Sequence, residues 1–209
     1  MLKQGEILSG RYQSMEKIGQ GGTGIVYKAY DHNLQKYVVV KKIKDNFVDS
    51  LNNRMEVDIL KRLHHPYLPQ VYDFLVLGHQ VFTVMDFVRG KELQWYISHG
   101  YVIDEKKIRK WGEQLLEVLD YLHSQVPPII HGDIKPANIM VTDDQNICLI
   151  DFNISLGEGD LSLIYGISEA YAAPEQIRKM TLAKAGQVHQ MIRLDQRTDI
   201  YSLGKTLYV

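Results

Sequence analysis

The sequence has few of the features that mark secreted or membrane-embedded proteins. Its 209 residues include one cysteine, Cys148, so no internal disulfide can form and a reducing compartment is expected. No stretch approaches the roughly 18 consecutive apolar residues of a membrane-spanning helix. The first residues also lack the apolar core of a signal peptide. These absences predict a cytoplasmic chain with no membrane segment of its own, although a longer parent protein could be tethered to a membrane.

An excess of charge of one sign is also missing. The 24 lysines and arginines are balanced by 25 aspartates and glutamates, which gives a formal net charge of −1. This balance argues against a basic nucleic-acid-binding arm or a polybasic membrane anchor. Hydrophobic residues make up 45% of the chain, which is ordinary for a globular protein. Nothing in the composition predicts an oligomeric state.

Two kinds of local pattern divide the chain near residues 87–91. Before this point, β-branched and aromatic runs predict strands, and one helix with apolar spacing ends before Pro66. The predicted strands cover residues 12–17, 25–30, 37–43, 71–77 and 81–87. After this point helices dominate, so we predict an α+β protein with a strand-rich lobe followed by a helix-rich lobe.

The longest predicted helix belongs to the second part. Asp104 is suited to be its N-cap, because a short acidic side chain can accept from the free N–H groups of the first turn. Its predicted inner face consists of Ile108, Trp111, Leu115, Leu119 and Leu122. Two short strands are predicted after it, at residues 139–142 and 147–150.

The first chemical signal is a glycine-dense turn, Gly19-x-Gly21-x-x-Gly24-x-Val26. Glycines let the backbone come close to phosphates and point N–H groups at them. An ordinary glycine turn and a dinucleotide-binding turn are the alternatives. The dinucleotide turn needs a helix directly after the glycines, whereas the residues that follow here predict a strand. The pattern therefore favours a loop folded over the phosphates of a nucleotide.

The second signal is Lys41, which ends an apolar strand. It could be an ordinary charge at a strand end. If it faces inward, it needs an anionic partner to offset its desolvation. Glu56, in the helix that follows, is the candidate partner.

The third signal is the run His131-Gly-Asp133-Ile-Lys135-Pro-Ala-Asn138, followed 13 residues later by Asp151. Each residue alone could be a loop cap or a turn former. Together they supply a base for a hydroxyl group, a cation for phosphate and two oxygen ligands for magnesium. A chance occurrence in this order and spacing is improbable.

Taken together, these motifs resemble the protein kinase superfamily, and within it the bacterial Ser/Thr protein kinases of eukaryotic type. Further motifs extend the resemblance from Tyr12 to Val209. The stretch from Glu56 to Pro66 resembles helix C of the family, residues 85–88 resemble its gatekeeper and hinge, residues 173–175 resemble the end of its activation segment, and residues 199–204 resemble the start of its helix F.

The resemblance implies a bilobal protein-kinase-like fold. Residues 12–87 would form an N-lobe with an antiparallel sheet and one helix. Residues 88–209 would form a mainly helical C-lobe that is incomplete, so that residues 1–209 would be a C-terminally truncated catalytic domain. The implied cofactors are ATP and Mg²⁺, and the implied partners are protein substrates that carry serine or threonine.

The resemblance also implies catalytic roles. Lys41, held by Glu56, would grip the α- and β-phosphates of ATP. Asp133 would orient the substrate hydroxyl and accept its proton. Lys135 would steady the transferring γ-phosphate.

Binding roles follow in the same way. Asn138 and Asp151 would bind the magnesium ions. Ser168 falls where the family has a small hydroxyl residue near the reacting residue of the substrate. The residues expected to contact ATP are Ile18, Gly19, Gly21, Gly24, Val26, Val39, Lys41, Met85, Asp86, Val88, Glu92 and Met140.

Three positions depart from the family pattern. Gly132 replaces an arginine that often pairs with a phosphate on the activation loop, so we expect activity that needs no such phosphate. Asn153 replaces a glycine in the metal-binding turn, where asparagine tolerates positive φ. Val39 replaces an alanine under adenine, and its extra bulk is expected to weaken ATP binding.

Two other functions remain open at this point. A pseudokinase, or a truncated nucleotide-binding scaffold, would hold partners without transferring phosphate. A small-molecule kinase could share the fold, although the motif Ala173-Pro-Glu175 and the long activation segment argue against it.

Overall fold

A computed structural model provides the fold and describes residues 2–21, 24–43, 59–151, 155–156, 168–187, 192 and 194–208. The chain forms two compact units. The first comprises Met1–His64 and Pro69–Phe87, and the second comprises His65–Leu68 and Val88–Val209. Two residues of the sequence predictions, Glu56 and Asn153, lie outside the described residues.

The first unit contains a six-stranded antiparallel sheet with the strand order β1-β2-β3-β4-β6-β5. The strands are β1 (Ile7–Leu8), β2 (Tyr12–Gln20), β3 (Gly24–Asp31), β4 (Lys36–Ile43), β5 (Val71–Leu77) and β6 (Gln80–Asp86). The five strands predicted from the sequence are confirmed, each within three residues at either end. Strand β1 was missed because two residues are too few to show a periodic pattern.

One face of this sheet carries the hydrophobic core of the first unit. The core residues are Leu8, Tyr12, Ala29, Val38, Val40, Leu75, Phe82 and Val84. Because side chains alternate along a strand, Val39 and Lys41 point to the opposite face from Val38 and Val40. Lys41 is paired with Val26 on one side and with Thr83 on the other. The predicted phosphate lysine therefore lies on the face away from this core.

A buried carboxylate fixes the turn between β3 and β4. Asp31 is fully buried and accepts two hydrogen bonds from the Arg11 guanidinium, at 2.8 and 2.7 Å. It also accepts from the backbone N–H groups of Asn33 and Leu34. Burial alone would raise the pKa of Asp31, but these hydrogen bonds outweigh it and lower the pKa. The turn thereby sets the register of the strand that carries Lys41.

The second unit is built from helices with small sheets beside them. The helices are α1 (Leu93–Ser98), α2 (Glu105–His123), α3 (Pro174–Lys184) and α4 (Gln196–Leu207). Strands β7 (Gly90–Glu92), β9 (Ile139–Thr142) and β10 (Ile147–Leu149) form one sheet in the order β10-β9-β7, and β8 (Ile129–Ile130) pairs with β11 (Ser155–Leu156). A 3-10 turn spans Pro136–Asn138.

Helix α2 begins where the sequence predicts. The side chain of Asp104 accepts a hydrogen bond from the N–H of Lys107 at 2.9 Å, which confirms the predicted N-cap. Four of the five predicted inner residues are buried, but Ile108 is 39% exposed, so its prediction was wrong. All residues from 105 to 110 are exposed, because the first turns of α2 extend past its packing partners, and burial starts at Trp111.

Gly21 and Gly24 of the glycine-dense turn differ in what the fold requires of them. A Cβ on Gly24 would overlap the carbonyl oxygen of Lys42, whereas a Cβ on Gly21 meets no atom within 4 Å. We expect Gly24→Ala to lower the free energy of unfolding by about 1–3 kcal/mol, because the strands must move apart. Gly21→Ala is the matched control and should leave stability unchanged. Thermal unfolding of both variants checks this, and equal melting temperatures would contradict it.

Candidate active site

Three polar side chains of the second unit meet in the loop between β8 and β9. The ammonium of Lys135 lies 2.6 Å from Oδ2 of Asp133. The side-chain amide of Asn138 donates to the same oxygen at 3.0 Å and to the Asp133 carbonyl oxygen at 2.8 Å. Asp133 and Asn138 are both buried. The carboxylate is therefore held in one orientation by a cation and an amide.

Ser168 joins this cluster from a distant part of the chain. Its hydroxyl accepts a hydrogen bond from Lys135 at 2.8 Å, and its backbone N–H donates to Oδ1 of Asp133 at 3.4 Å. A small pocket adjoins these atoms, lined by Gly132, Asp133, Ile134, Ser168, Tyr171, Ala172 and Ser202. Lys135 therefore bridges the Asp133 carboxylate and the Ser168 hydroxyl.

The residues predicted to bind magnesium fit that ion. The amide nitrogen of Asn138 donates twice to Asp133, which leaves the amide oxygen as its ligand atom. The backbone N–H of Ile150 donates to the Asn138 carbonyl oxygen at 2.8 Å, so the residue before Asp151 is tied to Asn138. An amide oxygen and a carboxylate are ligands that Mg²⁺ prefers, together with the phosphates of a substrate.

Within the described ranges, no group of three or more histidine, cysteine, aspartate or glutamate side chains is placed to hold a metal ion. Asp151 has a φ of 65°, in the left-handed region that short acidic residues tolerate better than most. Its unusual backbone conformation is consistent with a residue placed for function rather than for regular structure.

The carboxylate of Asp199 anchors the loop between β8 and β9 by accepting hydrogen bonds from its backbone. Asp199 lies on α4 and is fully buried. Its two oxygens accept the backbone N–H groups of His131 at 2.9 Å and Gly132 at 2.8 Å. His123, at the end of α2, lies 2.8 Å from the same carboxylate. Gly132 has a φ of 76°, a left-handed backbone conformation that glycine adopts without strain.

The predicted ATP-contact residues of the first unit lie in neighbouring positions of its sheet. Gly19 on β2 pairs with Val26 on β3, which in turn pairs with Lys41 on β4. Val39, also on β4, pairs with Met85 on β6. Nothing described in the chain requires glycine at positions 19 and 21, since a Cβ at Gly19 would make ordinary contacts and one at Gly21 none. Space of this kind suits the close approach of a ligand.

Ile18 and Asp86 are the other two predicted ATP contacts described for the first unit, and they differ in their surroundings. Ile18 is 46% exposed, so its side chain is open to solvent. The backbone N–H of Asp86 donates to Gln70, and the Asp86 carboxylate binds Lys36. The backbone N–H and the carboxylate of Asp86 thus both have partners within the first unit.

The remaining predicted ATP contacts belong to the second unit. Glu92 on β7 is directly opposite Met140 on β9, and Val88 lies just before β7. Partial burial raises the pKa of the Glu92 carboxyl, although its side chain keeps contact with solvent. Glu92 and Met140 are thus neighbours on paired strands, which is the proximity that two contacts to one ligand require.

Some residues of the site were not predicted from the sequence. Gln176 is buried and donates to the Gly132 carbonyl oxygen at 2.7 Å. Thr198 donates to the carboxylate of Glu175 at 2.9 Å. Both contacts span more than 20 positions, so no local pattern could reveal them. The one available local signal was that Gln176 directly follows the motif Ala173-Pro-Glu175.

The family model for the protein kinase domain matches residues 12–209. The chain belongs to the protein kinase domain family. A probable serine/threonine-protein kinase of Clostridium acetobutylicum is 35% identical over 213 residues, covering 98% of this chain and 30% of that protein. A probable serine/threonine-protein kinase of Bacillus subtilis is 32% identical over 213 residues, covering 99% of this chain and 71% of that protein.

Solved kinase structures share the fold. The PknI kinase domain of Mycobacterium tuberculosis matches with a TM-score of 0.73 and 24% identity, over 100% of this chain and 74% of that one. Rad53 in complex with AMP-PNP matches with a TM-score of 0.72 and 28% identity, over 95% of this chain and 47% of that one. The expected kinase-like α+β fold is therefore confirmed.

The kinase relatives are mostly longer than this chain. The chain spans 30%, 44% and 36% of three of the relatives that it matches. Within the described part of the chain, no helix combines the length and the apolar character that are needed to cross a bilayer.

Replacing the anchor should loosen the loop. We expect Asp199→Asn to lower the free energy of unfolding by about 2–3 kcal/mol, because an amide presents N–H groups where three donors converge. Asp120→Asn, on the exposed side of α2, is the matched control. Chemical denaturation of both variants measures the difference. An Asp199→Asn protein as stable as the control would show that the carboxylate is not an anchor.

Proposed function

We propose that this chain transfers the γ-phosphoryl group of ATP to serine or threonine hydroxyls of protein substrates, with Mg²⁺ as cofactor. The observation that carries the proposal is the hydrogen-bonded cluster of Asp133, Lys135, Asn138 and Ser168. Relatives named as serine/threonine-protein kinases support proteins as the phosphoacceptors.

Asp133 is the group that receives the substrate hydroxyl. The carboxylate orients the hydroxyl and accepts its proton as the new oxygen–phosphorus bond forms. The bond between the γ-phosphorus and its bridging oxygen breaks, and ADP leaves with that oxygen. Lys135, whose ammonium contacts both Asp133 and Ser168, supplies positive charge for the transferring group.

The first unit supplies candidates for nucleotide binding. Lys41 is the cation assigned to the α- and β-phosphates, and Gly19 and Gly21 leave room for a ligand beside the backbone. The structure of Rad53 contains AMP-PNP, an analogue of ATP, which supports ATP as the phosphate donor here. Asn138 and Asp151 would hold Mg²⁺, which neutralises negative charge on the phosphates when it is bound.

The catalytic base can be tested directly. We expect the chain to transfer label from radiolabelled ATP, in the presence of Mg²⁺, to itself or to a generic basic protein. Asp133→Asn should lower this rate by at least about 100-fold, because it removes the proton acceptor and leaves the nucleotide contacts intact. Asp120→Asn is the matched control and should keep the rate of the unaltered chain.

The same assay separates a kinase from a scaffold. If ATP and Mg²⁺ raise the melting temperature but no label is transferred, the chain is a nucleotide-binding scaffold. If Asp133→Asn transfers label as fast as the control, Asp133 is not the base.

Activity should not depend on phosphate in the activation segment. Gly132 offers no cation to such a phosphate, and the loop around it is already held by Asp199. We therefore expect protein treated with a phosphatase, and confirmed by mass spectrometry to be free of phosphate, to keep its rate within about 2-fold. Loss of activity on treatment, restored by one serine-to-aspartate change, would contradict this expectation.

A further inference from the structure

Gln176 lies in the first turn of α3 and is buried, with a relative exposure of 1% for the whole residue. A buried side-chain amide needs partners for both its oxygen and its nitrogen. Its Oε1 accepts the backbone N–H of Ala173 at 3.0 Å, and its Nε2 donates to the carbonyl oxygen of Gly132 at 2.7 Å. The identities of these partners determine which end of the amide is oxygen.

One end of this bridge acts on the peptide that precedes Asp133. The Gly132 carbonyl oxygen and the Asp133 N–H belong to the same planar peptide group. Gln176 holds the oxygen, and the N–H donates to Nδ1 of His131 at 3.3 Å. The peptide group between Gly132 and Asp133 is therefore held by one hydrogen bond at its oxygen and one at its N–H. This fixes the backbone from which the Asp133 side chain extends.

The other end acts on the segment that carries Ser168. The N–H groups of Tyr171 and Ala172 donate to the Ser168 carbonyl oxygen at 2.9 and 3.0 Å, so residues 168–172 form a tight turn. Ala173, the next residue, is held by Oε1 of Gln176. A single side chain thus joins the turn that presents Ser168 to the loop that presents Asp133.

We propose that Gln176 is a positioning residue for phosphoryl transfer, holding the peptide before Asp133 and the turn of Ser168 in one arrangement without help from a phosphate. The kinetic part of this inference rests on the proposed kinase function, and the structural part does not.

Gln176→Glu separates the two hydrogen bonds. The introduced carboxyl keeps an acceptor for Ala173, but while ionised it places an oxygen against the Gly132 carbonyl oxygen. At pH 8 we expect kcat to fall by about 10–100-fold, with the KM for ATP within about 2-fold. At pH 6 the loss should shrink, because burial favours the protonated carboxyl, whose O–H can donate to Gly132.

Gln187→Glu is the matched control, because Gln187 is exposed just beyond α3. Its kcat should follow the pH profile of the unaltered chain. Rates are referred to the folded fraction, measured by circular dichroism under the assay conditions. If folded Gln176→Glu has a kcat within about 2-fold of the control at pH 8, the hydrogen bond to Gly132 does not set the rate. That result would overturn the kinetic part of the inference.

Hydrogen exchange followed by mass spectrometry tests the bridge independently of activity. Peptides that cover residues 129–135 should exchange at least about 10-fold faster in Gln176→Glu at pH 8, while those that cover β9 and β10 keep their protection. If that variant does not fold, Gln176→Met, which preserves volume and removes both hydrogen bonds, gives the same comparison. Unchanged protection, or faster exchange throughout the second unit, overturns the positioning role. If the unaltered chain transfers no phosphate, the proposed function fails, and the exchange result still decides the bridge.

Discussion

The carboxylate of Asp199 is the interaction on which the candidate active site depends. A fully buried charge is costly unless several donors satisfy it, and here two backbone N–H groups and a histidine do so. The two N–H groups belong to His131 and Gly132, the residues that lead into Asp133. Because water cannot replace these donors around the buried carboxylate, the burial of α4 is coupled to the conformation of the loop that carries Asp133.

The loop between β8 and β9 has almost no regular backbone pairing of its own, so side chains from α3 and α4 bind its backbone groups instead. Asp199 comes from α4 and Gln176 from α3, and each holds one polar group of the Gly132 backbone. A network of this kind specifies one arrangement when every member is satisfied, and each missing partner exposes another to a desolvation cost. The φ of 76° at Gly132 lets the backbone reach both anchors at once.

The sequence was sufficient to predict the elements with a clear period and the residues that carry chemistry. Alternation and helical spacing are local properties, so strands such as β4 and the start of α2 could be predicted within a few residues. Ile108 failed because spacing identifies an apolar face but not where the packing against it begins. Motifs in the loop identified Asp133, Lys135 and Asn138, and their joint geometry fits those predictions, while the roles themselves stay predictions.

The anchors could not be predicted, because their partners are 44 and 67 positions away and polar residues in helices usually face solvent. The difference between the predictable motif residues and the unpredictable anchors has a physical basis in the proposed reaction. Phosphoryl transfer asks the protein for little covalent chemistry and depends mainly on placement and charge. Residues that touch the reacting groups are then recognisable by type and spacing, whereas the precision of their placement is supplied by buried glutamine and aspartate side chains. In the proposed reaction such anchors would affect the rate without contacting the substrate, so they are visible in a structure and not in a motif.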